Sequence, residues 1–111
     1  MVLGCNMLRS HTLDQINEKN IGEKVILCGW IDTVREHGKV IFVDLRDRYG
    51  KVQCVIVSSN SDFNHLKKLL KESCIQINGV VQARPKGSEN KELTSGTVEV
   101  FIKKVHVFTE S

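Results

Sequence analysis

Short apolar segments recur along the chain and predict a mainly β structure. Each segment is a few residues long, carries apolar residues at alternate positions or in short runs, and is bounded by turn residues. Gly29 interrupts the first segment, where we expect a bulge or a sharp coil. Arg48-Tyr49-Gly50 predicts a hairpin turn between the second and third segments. The predicted strands are 23–35, 40–47, 51–57, 74–84 and 97–108.

Two other segments, 12–20 and 61–73, change to a helical pattern. In the first, Thr12 and Gln15 have the spacing of a capping box, which predicts a short helix. In the second, four apolar residues fall on one helical face, lysines occupy the other face, and Ser61 can cap the N-terminus. The four apolar residues are Phe63, Leu66, Leu69 and Leu70.

The order strand, strand, strand, helix, strand, strand is that of an OB-fold, a five-stranded Greek-key barrel. We therefore predict an all-β OB-fold with one helix between strands 3 and 4 and a short N-terminal helix. An open α+β sandwich is the alternative. In an OB-fold the ligand surface is the face of strands 2 and 3 together with the loops that join strands 1–2 and 4–5. Here the last of these loops is long and polar, at 85–96.

Strand alternation separates a core face from an outer face that carries unusual side chains. The predicted core set is Ile41, Val43, Leu45, Val52, Cys54, Ile56, Val98, Val100 and Ile102. Phe42, Gln53 and Glu99 then point outward. An aromatic ring can stack on an unpaired base for roughly 1–3 kcal/mol, and amides or carboxylates can pair with base edges. Alternatively, the N-terminal helix covers Phe42 and Gln53 simply faces solvent. Phe101 and Trp30 are expected to pack at the barrel ends.

Composition narrows the function classes. A chain of 111 residues with 41% apolar and 26% charged residues is one globular domain, and its net charge of +3 is low for a protein held to nucleic acid by charge alone. No segment is apolar for long enough to span a membrane. The four cysteines lack metal-ligand spacing, so we expect buried apolar side chains, no metal and a reducing compartment. No catalytic motif is present, which favours a binding module.

The outer-face residues lie within a pattern that resembles a known family. The runs LRSHT, LCGWIDTVREHGKVIFVDLRDRYGKVQCVIV and IQINGVVQARPKGSENKELTSGTVEV are similar to the N-terminal domain of bacterial-type aspartyl-tRNA synthetases. The resemblance implies an OB-fold anticodon-binding domain at 8–108. Residues 1–7 would be an N-terminal extension, and 109–111 would begin the hinge to a catalytic domain that the chain lacks.

The resemblance also implies roles in reading the tRNA anticodon. Phe42 would stack on the central uridine, and Gln53 would hydrogen-bond that base with support from Arg35. Glu99 would read the first base, a guanosine or its modified form. Near the third base, the resemblance places Arg84, Asn90, His37 and Gly87. His37 and Gly87 look like the residues of members that aspartylate both tRNA(Asp) and tRNA(Asn).

Two positions depart from the pattern. Thr33 and Gln82 stand where many members carry arginine, so we expect weaker phosphate or loop contacts there. The implied parent enzyme is a cytoplasmic homodimer that joins aspartate to tRNA with ATP and magnesium. The domain itself would need no cofactor, would not be catalytic and would not contact a membrane. A generic single-strand-binding OB-fold and a protein-interaction OB domain are the alternatives.

Overall fold

Five strands close into a barrel in the computed structural model of the protein, which describes residues 10–68, 73–84 and 96–109. Neighbours around the barrel follow the order β1-β2-β3-β5-β4, with β4 returning to β1. All neighbouring pairs are antiparallel except β3 and β5, which run parallel. This is the Greek-key order of the predicted OB-fold. The strands are β1 (Lys24–His37), β2 (Val40–Arg46), β3 (Lys51–Val57), β4 (Cys74–Ala83) and β5 (Val98–Thr109).

The barrel interior contains the apolar set that strand alternation predicts. All nine predicted core residues of β2, β3 and β5 are at most 1% exposed. Helix α1 (Phe63–Lys67) lies between β3 and β4 in the chain and adds Phe63 and Leu66 to the same core. Burial of one such side chain contributes about 1.5–3 kcal/mol, so the interior face of each strand is fixed by packing. The opposite face of the same strands is thereby directed outward.

The two predicted helices are shorter than their patterns indicate. Residues 12–20 form two 3₁₀ turns, Leu13–Gln15 and Glu18–Asn20, because Ile16 and Asn17 between them adopt extended backbone angles. The capping contact is present, since the Gln15 side chain accepts a hydrogen bond from the Thr12 amide at 2.9 Å. A continuous N-terminal helix is therefore a wrong prediction.

At α1 the residue before the first turn is Asp62, so the predicted cap at Ser61 is also wrong. The Asp62 carboxylate instead accepts a hydrogen bond from the Val105 amide at 2.9 Å and ties the helix to β5. Leu69 and Leu70 lie outside the described residues. No helix within the described ranges is long and apolar enough to cross a membrane.

Gly29 serves a close approach of strands instead of a bulge. A Cβ atom at this position would lie 2.6 Å from the carbonyl oxygen of Arg46 on β2, so only glycine fits. The register shift between β1 and β2 occurs farther along, between Ile31 and Thr33. The prediction of an irregularity in β1 is confirmed, but its position was wrong.

The predicted hairpin turn between β2 and β3 is confirmed and is anchored by one carboxylate. Asp47 Oδ1 accepts hydrogen bonds from the amides of Tyr49 and Gly50, each at 2.8 Å. Its Oδ2 accepts from the Leu13 amide at 3.0 Å, which fastens the first 3₁₀ turn to the barrel.

Three cysteines are described, and all are buried. Cys28 and Cys54 are not in a disulfide, and both are buried, as expected of small apolar side chains. Burial raises the pKa of the Cys54 thiol. Cys74 is disulfide-bonded, which contradicts the expectation of reduced cysteines throughout.

Candidate nucleic-acid interface

Outward side chains form two neighbouring rows across the barrel wall. The strand register pairs Thr33 with Asp44, Asp44 with Gln53, and Glu99 with Gln82. A hydrogen bond between Gln53 and Glu99 joins these pairs across the parallel contact of β3 and β5. We call these five residues the polar row.

The members of the polar row are connected by short hydrogen bonds. Thr33 Oγ1 donates to Asp44 Oδ2 at 2.6 Å at one end. At the other end, the carboxylate of Glu99 accepts from Gln53 Nε2 at 2.9 Å on Oε1 and from Gln82 Nε2 at 2.7 Å on Oε2. Each residue of the row therefore has a hydrogen-bond partner within the row before any ligand binds.

Arg35 connects the two hydrogen-bonded parts of the row, because it contacts both Asp44 and Gln53. Its Nη2 atom lies 3.0 Å from Gln53 Oε1 and 3.4 Å from Asp44 Oδ1, and its side chain is 49% exposed. A guanidinium only donates and a carboxylate only accepts. Because Gln53 lies between Arg35 and Glu99, its amide oxygen must face Arg35 and its NH₂ group must face Glu99. The orientation of this amide is thus fixed by its neighbours.

The outward register predicted for Gln53 and Glu99 is confirmed, but their exposure is lower than an outer-face position suggests. Gln53 is 8% exposed and Glu99 is 4% exposed. They cover one another, and the hydrogen bonds between them offset the cost of removing polar groups from water. Gln53 therefore does not simply face solvent.

The second row is largely apolar and lies two residues away along each strand, on the same face. Register pairs place Arg35, Phe42, Val55, Phe101 and Val80 side by side, and we call these residues the aromatic row. Phe42 and Phe101 are half-buried, whereas Val55 is buried. The expectation that Phe101 packs at a barrel end is wrong, because it lies mid-strand on the outer face.

Phe42 lies between two side chains of β1. The guanidinium carbon of Arg35 is 5.7 Å from the ring centroid. The ring of His37 meets Phe42 edge-on, at 5.6 Å between centroids and an interplanar angle of 73°. His37 is exposed and lies at the end of β1, directly before the turn at Gly38, where φ is +63°. The structure therefore brings Arg35, Phe42 and His37 together.

Arg84, another predicted site residue, directly follows β4. The Arg84 amide donates to the Thr97 carbonyl at 3.0 Å, and Arg84 Nε donates to the Val98 carbonyl at 3.0 Å. Its guanidinium is thus held against the start of β5, two residues beyond Gln82. Gly87 and Asn90 lie outside the described residues.

The sequence did not place Thr33, Asp44 and Gln82 among the base-reading residues, and it indicated Thr33 and Gln82 only as positions of weaker phosphate or loop contacts. Alternation does place Asp44 and Gln82 on the outer face, and this was the available signal. The partner of Gln82 depends on the order β3-β5-β4, which no local pattern reveals. Trp30 packs against Cys28 and Cys74, with the Arg46 guanidinium carbon 5.8 Å from its ring centroid, and contributes to neither row.

The site offers groups for stacking and for hydrogen bonding. Across 10–68, 73–84 and 96–109 no group of three or more His, Cys, Asp or Glu residues could hold a metal ion. Arg35, Gln53 and Glu99 present donors and acceptors in a fixed order next to an aromatic ring. An unpaired base offers a flat face and a hydrogen-bonding edge, and this arrangement suits both.

Comparisons with known proteins agree with this geometry. The family model described as an OB-fold nucleic acid binding domain, tRNA_anti-codon, matches residues 25–108. The chain is 50% identical over 103 residues to an aspartate–tRNA ligase of Pseudothermotoga lettingae. It is 42% identical over 99 residues to an aspartate–tRNA(Asp/Asn) ligase of Bradyrhizobium diazoefficiens. These matches cover 93% and 89% of the chain, but the chain spans only 17% of the length of each of these curated relatives.

A solved structure, the asparaginyl-tRNA synthetase of Pyrococcus horikoshii with asparaginyl-adenylate, has a TM-score of 0.80 and 30% sequence identity to the chain. The similarity covers 95% of this chain and 23% of that one. Like the ligase matches, it extends over nearly the whole described barrel.

Proposed function

Since this chain belongs to the family of OB-fold nucleic-acid-binding domains, we propose that it reads the anticodon loop of a tRNA as one domain of an aspartate–tRNA ligase. The observation that carries the proposal is the position of the fixed amide of Gln53 and the carboxylate of Glu99 beside the half-buried ring of Phe42. Similarity to aspartate–tRNA ligases over nine-tenths of the chain supports the choice of RNA.

The central base is read by Phe42 and Gln53. A uracil stacked on Phe42 directs its edge toward the polar row, where its N3–H group can donate and its carbonyl groups can accept. Gln53 has one N–H and one oxygen lone pair beyond those that face Glu99 and Arg35. Cytosine presents an acceptor at N3 where uracil presents a donor, so the fixed amide favours uracil.

The first base is read by Glu99. Guanine carries two neighbouring donors on its Watson–Crick edge, at N1 and N2, and a carboxylate can accept from both. The two protein amides use only part of the acceptor capacity of Glu99, which is about four lone-pair sites. Adenine presents an acceptor at N1 and would place it against the carboxylate.

The third base lies near His37, Arg84 and the loop that contains Gly87 and Asn90. The aspartate and asparagine anticodons, GUC and GUU, differ only at this base. A histidine can donate from one nitrogen and accept at the other, which accommodates cytosine and uracil alike. Relatives named aspartate–tRNA(Asp/Asn) ligase support a domain that accepts both anticodons. Titration of GUC and GUU stem-loops tests this, and a preference beyond about tenfold, or 1.4 kcal/mol, would contradict it.

The whole enzyme would supply the chemistry that this domain lacks. We assign to it the attachment of aspartate to tRNA with ATP and magnesium, a homodimeric assembly and a cytoplasmic location. The similarity to aspartate–tRNA ligases supports the first of these assignments. Residues 1–7 and 109–111 would be the extension and the start of the hinge that flank the anticodon-binding domain at 8–108.

Binding of a stem-loop with a GUC anticodon tests the proposal directly. The purified chain should bind it at least about tenfold more tightly than a stem-loop with a scrambled loop or an oligo-dT strand. Equal binding of all three would indicate a generic single-strand binder. No binding to any of them would indicate a protein-interaction domain.

A further inference from the structure

We propose that Gln82 is a positioning residue that sets the selectivity for the first anticodon base by holding the carboxylate of Glu99. The inference rests on the proposed function, because it assumes that Glu99 reads that base. Gln82 itself need not contact the RNA. It acts through the 2.7 Å hydrogen bond from its Nε2 atom to Glu99 Oε2.

The environment of Glu99 makes this contact important. The residue is only 4% exposed, so water has little access to its carboxylate. One oxygen is held by Gln53 from β3 and the other by Gln82 from β4, and Glu99 lies between them on β5. Because the two donors come from opposite sides, rotation of the carboxylate breaks at least one hydrogen bond. The remaining lone pairs of the Glu99 carboxylate therefore keep a fixed direction, in which a base can donate to them.

The two glutamine donors to Glu99 are neutral amides, so neither of them offsets the negative charge of the carboxylate. A carboxylate whose hydrogen-bond donors are neutral remains a strong acceptor for the N–H groups of guanine. Loss of Gln82 would leave Oε2 without its donor inside the site. The carboxylate is then free to rotate about the remaining bond to Gln53, and this weakens its preference for two adjacent donors.

The first experiment compares Gln82→Leu with Gln76→Leu on stem-loops that differ only at the first anticodon base. Gln76 is the matched control because it is also a half-buried, outward glutamine of β4, with its oxygen 3.9 Å from Cys28 Sγ and away from Glu99. The bases are guanine, hypoxanthine, which lacks the N2 amino group, and adenine. Gln82→Leu should reduce the preference for guanine by about tenfold, whereas Gln76→Leu should leave it unchanged.

A second variant supplies a readout that a purely structural role would not change. Gln82→Glu places a second carboxylate against Glu99, and two such groups retain one shared proton at mildly acidic pH. At about pH 5 the shared proton restores the hydrogen bond, and at about pH 8 repulsion removes it. The preference of this variant for guanine should therefore fall as the pH rises. Gln76→Glu adds the same charge away from Glu99 and should show no such trend.

The outcomes are distinguishable. If the parent prefers guanine and both Gln82 variants retain or increase that preference at every pH, the positioning role is wrong. If the parent itself does not distinguish guanine from adenine, the proposed role of Glu99 fails, and this inference fails with it. Thermal unfolding of each variant identifies losses of folding, and Gln82→Glu answers the question even if Gln82→Leu does not fold.

Discussion

The polar row and the aromatic row cross the same strands side by side, yet they are built in opposite ways. The centre of the polar row is buried, and its members hydrogen-bond one another. The aromatic row leaves parts of Phe42 and Phe101 accessible and has the exposed side chains of Arg35 and His37 at one end. One row is fixed before a ligand arrives, and the other offers surface for a ligand to cover.

This difference assigns separate tasks to the two rows. Stacking on an aromatic ring is tolerant of base identity because every base has a π face, so the aromatic row should contribute mainly affinity. A hydrogen-bonding edge distinguishes bases only if its donors and acceptors cannot reorient. The polar row meets that condition, because Arg35 and Glu99 fix the amide of Gln53 from both sides.

The largest expected effect is on the free energy of unfolding, and it comes from a core residue that lies beneath both rows. Ile41 is fully buried directly before Phe42 on β2. Ile41→Ala should lower the free energy of unfolding by about 2–5 kcal/mol, because it leaves a cavity in the core. Urea unfolding measures this change. A loss below about 1 kcal/mol would mean that the core does not fix the direction of the outer side chains.

Phe42→Ala should reduce binding more than stability, which is the reverse of the effect of Ile41→Ala. It should weaken binding of the anticodon stem-loop by about 1–3 kcal/mol through loss of stacking, with a much smaller loss of unfolding free energy than Ile41→Ala. Calorimetric titration and urea unfolding provide the two measurements. Phe42→Tyr retains the ring and serves as the control. A large fall in stability with unchanged affinity would place Phe42 in the core instead of the binding surface.

The smallest expected effect is at the margin of the polar row, where Asp32 is paired with Lys51 at 2.9 Å and Arg46 at 3.3 Å. Its pKa is lowered, chiefly by the hydrogen bond from Lys51. A lowered folded-state pKa adds stability above the ordinary carboxyl pKa, and that stability is lost as the pH falls through the lowered value.

Asp32→Asn should therefore lower the free energy of unfolding by less than about 1 kcal/mol at neutral pH, because the pair is partly exposed. The difference from the parent should disappear in strong acid, where the parent carboxylate is protonated as well. Urea unfolding at about pH 7 and about pH 2 checks both statements. A difference that grows in acid would contradict the sign of the shift.

Sequence patterns predicted the barrel because each strand carries its own two-residue period. Ile41, Phe42 and Val43 were assigned to the correct faces from their order alone. The helices were less predictable, since the capping box at Thr12 and Gln15 specifies where a turn begins but not how far it continues. Extended angles at Ile16 and Asn17 ended that turn after three residues.

The site was predicted as a set of residues but not as a network. Glu99 and Gln53 are 46 positions apart, and their contact exists because β5 lies parallel to β3. The contact of Gln82 with Glu99 needs the next strand pair as well. Alternation indicates which face a residue occupies, whereas the identity of its neighbour depends on strand order and register.

The most direct test of the central claim is a titration of stem-loops with U, C or A as the central anticodon base. The parent, Phe42→Ala and Gln53→Ala would each be measured against all three loops. If the aromatic row contributes affinity and the polar row contributes selectivity, Phe42→Ala should weaken binding to all three loops by a similar factor and keep the preference for U. Gln53→Ala should reduce the preference for U by about tenfold, because binding of the U loop weakens while the C and A loops bind almost as before. Equal losses for U, C and A in Gln53→Ala would contradict the account.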